Sequence, residues 1–144
     1  MSQPLITHKI QQMVSNALKQ AQQDGLLNLE TEPDIVIERP NNSENGDFAT
    51  NLPLQLARAT RINPVKLAEI LVERLHLSDE LAKIESAPPG FINFYLRDSW
   101  IQKQVDTIRH AGSTFGDVNV GNSQSIMIEF VSVNPTGPVH VGHT

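Results

Sequence analysis

A Pro-Pro-Gly turn at residues 88–90 restricts the fold of this 144-residue chain more than any other feature. It joins two stretches of alternating apolar residues, Ile84–Ala87 and Phe91–Leu96. A Pro/Gly turn between such stretches is typical of a β-hairpin. Two paired strands are marginal alone, so other elements must cover one face of the hairpin.

The remaining apolar residues recur at helical rather than strand spacing over most of the chain. The predicted helices run from the Ser2–Pro4 start signal to Gly25, from Leu52 to Ala59, from Asn63 to His76 and from Asp98 to Gly112. In the last helix, Ile101, Val105 and Ile108 are expected to point inward beside Trp100. The predicted fold is therefore α+β, a small antiparallel sheet packed with amphipathic helices.

Three shorter stretches complete the prediction for this part of the chain. Ile35–Ile37 is β-branched and is predicted to form a short strand, and residues 39–47 contain only turn formers and are predicted to form a surface loop. Asp47 is interpreted as part of a tight turn, and Asn51 or Thr50 as a helix cap; together they place Phe48 in the core, in preference to a functional site.

The charge balance limits the kind of partner this chain can bind. Eleven Lys and Arg residues against 16 Asp and Glu residues give a net charge of −5, which disfavours non-specific binding to nucleic acid. Any RNA contact is therefore expected to be local. The sequence has no cysteine, no bilayer-spanning apolar run and no signal-like N-terminus, so we expect a soluble cytoplasmic protein.

The apolar run Ile126–Val131 leads into a Pro/Gly turn and then to His140 and His143. This order predicts a strand, a loop and the start of a helix, where unpaired amides favour an anion such as phosphate. Histidines three residues apart share one helical face and could both donate to a phosphate chain. On spacing alone, the simpler explanation is favoured: two histidines at a frayed chain end, or a chance metal pair.

Residues 129–143 read Glu-Phe-x-Ser-x-Asn-Pro-Thr-Gly-Pro-x-His-x-Gly-His, which resembles the signature of arginyl-tRNA synthetases. The final His-x-Gly-His is similar to the motif of class I aminoacyl-tRNA synthetases in general. Gly-Asp-Phe-Ala-Thr-Asn at residues 46–51 and Pro-Gly-Phe-Ile-Asn-Phe at residues 89–94 resemble that family's N-terminal extension. The resemblance therefore covers nearly the whole chain.

This resemblance implies an enzyme that activates arginine with ATP and transfers it to tRNA(Arg), in a Rossmann-like catalytic domain. ATP would be a substrate accompanied by Mg²⁺, with no bound cofactor or metal site in the chain, and the parent protein would be monomeric. The implied arginine-binding residues are Glu129, which would pair with the guanidinium, together with Ser132, Asn134 and His140. The implied catalytic residues are His140 and His143, which with Gly142 would also bind ATP.

The stretch 112–124 has three glycines and no periodicity and is predicted to be a domain boundary, and the resemblance implies what lies on either side of it. Residues 1–112 would form the N-terminal domain that contacts the tRNA D-loop, residues 113–124 a linker, and residues 125–144 the first strand and signature loop of an incomplete catalytic domain. These 144 residues alone are expected to be inactive, since the rest of the catalytic site is missing from the sequence. The alternatives are a stand-alone structural or RNA-binding module, or a domain that only supports the catalytic core.

Phe91 and Asn93 are the candidate tRNA-binding residues. They share one face of the predicted second hairpin strand, whereas Ile92 and Phe94 occupy the core face. An exposed ring beside an amide can stack on a splayed-out base and hydrogen-bond its edge. The same two side chains could instead be structural, with Phe91 buried and Asn93 capping a turn. The resemblance favours recognition, because the family has an aromatic residue and an asparagine at matching positions.

Overall fold

The computed structural model describes residues 5–117, 121 and 124–129. Four α-helices and a three-stranded antiparallel sheet make up this part of the chain, which confirms the α+β prediction. The elements are α1 (Ile6–Gln23), β1 (Phe48–Thr50), α2 (Leu52–Thr60), α3 (Pro64–Val72), β2 (Leu81–Ala87), β3 (Phe91–Leu96) and α4 (Asp98–Ala111), with 3₁₀ turns at Ser43–Asn45 and Gly112–Thr114.

The predicted hairpin forms the larger part of the sheet. Strand β3 lies in the centre, with β2 and β1 antiparallel on either side of it. The turn that joins β2 to β3 packs against the helices, since a Cβ at Gly90 would lie 2.6 Å from the Cβ of Pro64. Gly90 has a φ of +149°, so both its backbone conformation and the lack of space require glycine.

The core lies between the helices and one face of the sheet. Helix α1 buries Ile10, Val14 and Leu18 at the spacing predicted from its sequence. The sheet contributes Ile92 and Phe94, both with no exposed surface. The other large side chains buried in this core are Phe48, Leu52, Leu56, Leu67, Leu71 and Leu81.

One strand prediction is wrong in position. Ile35–Ile37 is not a strand, and only the adjacent Glu38 forms a single bridge to Ala49. The strand in this region is instead β1, where a tight turn was predicted, because Phe48 and Thr50 pair with Phe94 and Ile92 of β3. Phe48 nevertheless lies in the core as predicted, with 5% of its surface exposed.

The helix boundaries follow local signals in most places. The Asn63 side chain accepts a hydrogen bond from the Val65 amide at 2.9 Å and so caps α3 as predicted. Of the two predicted cap residues of α2, Asn51 and Thr50, it is Thr50 whose hydroxyl accepts a 3.3 Å hydrogen bond from Leu52 N. Helix α3 ends at Val72 rather than His76, because the chain turns there and brings Leu75 into the core.

Helix α4 departs from the prediction in its packing. It ends at Gly112 as expected, but Ile101, Val105 and Ile108 are 43%, 57% and 44% exposed. Their predicted inward orientation is therefore wrong for the described part of the chain. The core between α1, α2, α3 and the sheet is complete without them, and Trp100 is the aromatic residue of α4 that is half-buried.

The predicted strand at Ile126–Val131 is not seen in the portion that the structure describes. Residues 124–129 have no regular secondary structure, and Met127 is 97% exposed. The rest of that predicted strand and the signature loop lie outside the described residues. The division of the chain at residues 112 and 125 stays a prediction.

Candidate nucleic-acid interface

A cleft of about 460 Å³ opens on the face of the sheet opposite the core. Its floor is formed by Phe91 and Asn93 of β3 and Ala49 of β1, and one end is closed by Ala87 and Pro88 from the hairpin. The facing wall comes from the segment before β1. The remaining lining residues are Glu38, Arg39, Pro40, Asn41, Asn42, Asn45 and Asn51.

Phe91 and Asn93 do share one face of β3, as predicted. Asn93 pairs with Ala49 on one side and Glu85 on the other, and Phe91 pairs with Ala87. Their expected exposure is wrong, however, because Asn93 is only 3% exposed and Phe91 is half-buried. The segment 38–45 covers this face, so both side chains are reached through the cleft rather than from an open surface.

The segment 38–45 is held against the sheet at both ends by backbone hydrogen bonds. At its start, Glu38 and Ala49 exchange two bonds of 2.9 and 2.8 Å. Beyond its end, Asp47 N donates to Phe94 O at 2.9 Å, and the Asp47 carboxylate accepts from Leu96 N at 2.7 Å. Gly46 allows this approach, because a Cβ there would lie 2.7 Å from the Phe94 oxygen.

Asp47 thus has a structural role, as predicted, although it closes a strand pair rather than a tight turn. Asn42 gives the same segment its internal shape. Its side chain accepts a hydrogen bond from the Glu44 amide at 3.0 Å and caps the 3₁₀ turn Ser43–Asn45. The wall of the cleft is therefore an ordered turn within residues 38–45.

Next to the cleft, Tyr95 lies on the same face of β3 as Asn93. Its hydroxyl donates to the Glu85 carboxylate and lies 2.9 Å from the Glu44 carbonyl oxygen. The bond to Glu85 raises the pKa of Tyr95. Lys83 pairs with Glu85, which lowers the pKa of that carboxyl and raises the pKa of the Lys83 ammonium.

The chemistry of the cleft favours binding over catalysis. Five asparagines offer paired donors and acceptors, Phe91 offers an apolar ring, and Arg39 is the one cation among the described residues of the lining. A flat, polar-edged ligand near a phosphate suits such a set of side chains.

Sequence reasoning missed the contribution of the wall. Arg39, Asn41, Asn42 and Asn45 were assigned to a surface loop without chemistry. Their types carry a signal, since three asparagines and one arginine lie within the seven residues 39–45 and concentrate hydrogen-bonding side chains there. Only the folded chain shows that they face Phe91 and Asn93.

The sites predicted near the C-terminus are not brought together in the described part of the chain. Glu129 lies in an exposed stretch without regular secondary structure. Ser132, Asn134, His140, Gly142 and His143 lie outside the described residues. Their predicted roles toward arginine and ATP therefore stay predictions.

No group of three or more His, Asp or Glu residues in the described part of the chain is arranged to hold a metal ion. Among the described helices, none is both long enough and apolar enough to cross a membrane.

Comparison with known families identifies the relatives of this chain. The family described as the arginyl tRNA synthetase N terminal domain matches residues 8–96, which is more than half of the chain and includes every residue of the cleft. The chain belongs to the arginyl-tRNA synthetase family. The resemblance seen in its sequence motifs is thereby confirmed.

Curated relatives agree with this placement. The chain is 41% identical over 136 residues to the arginine–tRNA ligase of Hydrogenovibrio crunogenus, covering 94% of this chain and 23% of that protein. It is 41% identical over 138 residues to the arginine–tRNA ligase of Dehalococcoides mccartyi, covering 96% of this chain and 25% of that protein. The chain spans about a quarter of the length of these relatives.

Solved structures support the same fold. The arginyl-tRNA synthetase of Plasmodium falciparum matches with a TM-score of 0.62 at 18% identity, over 75% of this chain and 19% of that one. The arginyl-tRNA synthetase of Thermus thermophilus matches with a TM-score of 0.56 at 21% identity, over 96% of this chain and 21% of that one. At these identities the likeness concerns the fold.

Proposed function

We propose that this chain is the N-terminal part of an enzyme that activates arginine with ATP and transfers it to tRNA(Arg). The proposal is supported by the family match over residues 8–96 and by the names of the curated relatives. ATP would serve as a substrate together with Mg²⁺. The parent enzyme would act as a monomer in the cytoplasm.

For the C-terminal residues we retain the roles implied by the signature. Glu129 would bind the substrate guanidinium through paired hydrogen bonds, the geometry that separates arginine from lysine. Ser132 and Asn134 would hold the amino and carboxylate groups of arginine. His140 would also bind arginine. His140 and His143 would stabilise charge on the phosphates of ATP, with Gly142 close to the nucleotide. They would do so at the start of a Rossmann-like catalytic domain.

The cleft would bind one unstacked base from the D-loop of the tRNA. The observation that carries this proposal is that Phe91 and Asn93 line the same cleft, with the amide two residues along the strand from the ring. A base stacked on Phe91 would present its edge to Asn93 and to the asparagines of the facing wall. Burial of Asn93 strengthens the discrimination, because an unmatched base would leave its amide unpaired away from water.

The charge distribution supports a local contact of this kind. With a net charge of −5 the chain lacks the excess of cations that non-specific RNA binding requires. Arg39 places a single positive charge at the cleft, where the phosphate next to a splayed-out base would lie. Recognition of the tRNA would then depend on the shape of the cleft, on contacts to the base and on one phosphate contact.

The test compares Phe91→Ala with Phe91→Tyr in the full-length enzyme. Stacking contributes about 1 to 3 kcal/mol per base, so Phe91→Ala should raise the KM for tRNA(Arg) by about 5- to 150-fold. Phe91→Tyr keeps an aromatic ring and should stay close to the parent value. Arginine-dependent ATP–pyrophosphate exchange measures activation without this contact and should be unchanged in both variants.

Transcripts of tRNA(Arg) that each lack one D-loop base identify the nucleotide. Removal of the base that stacks on Phe91 should weaken charging, and so should Phe91→Ala. Charging of that transcript by the Phe91→Ala enzyme should be little weaker than with either change alone. If Phe91→Ala leaves charging unchanged, the cleft is structural and the domain only supports the catalytic core. Absence of arginine-dependent exchange in the unmodified full-length protein would refute the assigned activity itself.

A further inference from the structure

Tyr95 joins the wall of the cleft to its floor. Its ring lies on the central strand β3, two residues beyond Asn93 and on the same face. Its hydroxyl lies 2.9 Å from the carbonyl oxygen of Glu44, which belongs to the 3₁₀ turn of the opposite wall. The two residues are 51 positions apart in the sequence, so this bond is a tertiary contact.

The wall has few other attachments between its two ends. The hydrogen bonds of Asn42, Glu44 and Asn45 described above are made within the segment itself. Among the hydrogen bonds of the described residues, the one from Tyr95 is the bond that ties residues 39–45 to the sheet. Residues 41–45 are otherwise exposed to solvent, so little apolar burial holds them in place.

The environment of Tyr95 fixes the direction of its hydroxyl. Glu85 on the neighbouring strand accepts from the same hydroxyl, and Lys83 pairs with Glu85 while its ammonium lies 5.0 Å from the centre of the Tyr95 ring. The single phenolic proton is therefore shared between the Glu85 carboxylate and the Glu44 carbonyl. This arrangement orients Tyr95 toward the wall before any ligand arrives.

We propose that Tyr95 is a positioning residue that holds residues 38–45 as a preformed wall of the RNA cleft through its hydrogen bond to Glu44. The inference rests on the proposed function of the cleft and adds a residue that does not line it. Without the bond, Asn41, Asn42 and Asn45 would sample several arrangements, and binding a base would have to order them. Tyr95 thus contributes to tRNA affinity without contacting the base.

The experiment uses Tyr95→Phe in the full-length enzyme, since this variant removes only the hydroxyl. Loss of one net hydrogen bond should raise the KM for tRNA(Arg) by about 2- to 10-fold, with arginine-dependent ATP–pyrophosphate exchange unchanged. The amides of Asn45 and Gly46, which donate within the 3₁₀ turn, should exchange with deuterium faster than in the parent enzyme. Amides of α1 should keep their protection.

Thr107→Val is the matched control. It removes a hydroxyl on helix α4 that donates to the Lys103 carbonyl oxygen at 3.1 Å, outside the cleft, so the KM for tRNA should not rise. If Tyr95→Phe leaves the KM unchanged while Phe91→Ala raises it, the positioning role is wrong and the base-binding cleft stands. If Phe91→Ala also has no effect, the base-binding function itself fails. Faster exchange in α1 as well as in the wall would show a general loss of stability and would overturn the specific role.

Discussion

Phe91 and Asn93 lie two residues apart on the central strand and line the same cleft, yet the ring is half-buried and the amide is only 3% exposed. The difference separates their expected roles. The partly open ring can receive a base that enters the cleft, whereas the amide can be reached only at its floor. Stacking would therefore supply affinity, and the amide would supply selectivity for the base edge.

Asn93→Ala in the full-length enzyme is expected to reduce tRNA charging with arginine activation intact. Loss of a matched amide contact corresponds to about 1 to 3 kcal/mol, or about 5- to 150-fold in the KM for tRNA. Ile92→Val, on the core face of the same strand, is the control. It should lower the free energy of unfolding by about 0.5 to 1.5 kcal/mol and leave that KM unchanged. Equal effects of the two variants on charging would mean that Asn93 acts through stability.

Arg39→Gln should weaken tRNA binding for all sequences alike, because a phosphate contact carries no base information. The slope of log affinity against log salt concentration should become shallower by about one unit. Lys19→Gln provides a control outside the cleft, since it removes an exposed cation of helix α1 that pairs with Glu32. The slope is obtained from tRNA affinities measured at several salt concentrations. An Arg39→Gln slope equal to that of the parent and of Lys19→Gln would count against the phosphate contact.

The ion pair between Lys9 and Glu80 should make stability depend on acidity. The hydrogen bond from Lys9 lowers the pKa of Glu80 from 4.5 to about 2. A lowered carboxyl pKa stabilises the folded chain above pH 4.5, and this contribution is lost as the pH falls toward 2. Because Lys9 is 46% exposed, the pair should contribute only about 1 kcal/mol or less.

Urea unfolding of the chain and of Glu80→Gln tests this dependence. The parent should be the more stable of the two at pH 6, and the difference should disappear by about pH 2. Glu32→Gln, in the more exposed pair with Lys19, should show a difference near zero at both pH values. A Glu80→Gln difference that stayed constant from pH 6 to pH 2 would contradict the assigned cause.

Glu129→Gln and His143→Ala separate the roles expected at the C-terminal signature. In the full-length enzyme, Glu129→Gln should weaken arginine binding far more than ATP binding, since a charge-assisted paired contact becomes a neutral one. His143→Ala should lower the rate of activation, by about 2 to 4 kcal/mol in the barrier, with little change in arginine affinity. Pyrophosphate exchange at varied arginine and ATP concentrations distinguishes them, and equal losses of arginine affinity would show the roles to be misassigned.

Elements whose signals are local were predictable from the amino-acid sequence. The Pro-Pro-Gly turn specified the β2–β3 hairpin, and the period of two within β3 placed Ile92 and Phe94 in the core and Phe91 and Asn93 on the other face. The helices followed from apolar spacing and caps such as Asn63, which act within a few residues. The motifs at residues 46–51, 89–94 and 129–143 indicated the family, which the family match over residues 8–96 and the curated relatives confirm.

The position of the cleft and the identity of its lining residues depend on tertiary contacts that no local pattern in the sequence reveals. Strand β1 has three residues, too few for a periodic pattern, and it exists because β3 offers its open edge. The burial of Asn93 depends on bonds that connect residues about 50 positions apart, Leu96 to Asp47 and Tyr95 to Glu44. The exposure of the apolar face of α4 also depends on tertiary contacts. The apolar spacing of a helix shows that one of its faces can be buried, but only the arrangement of the other elements determines whether that face is covered.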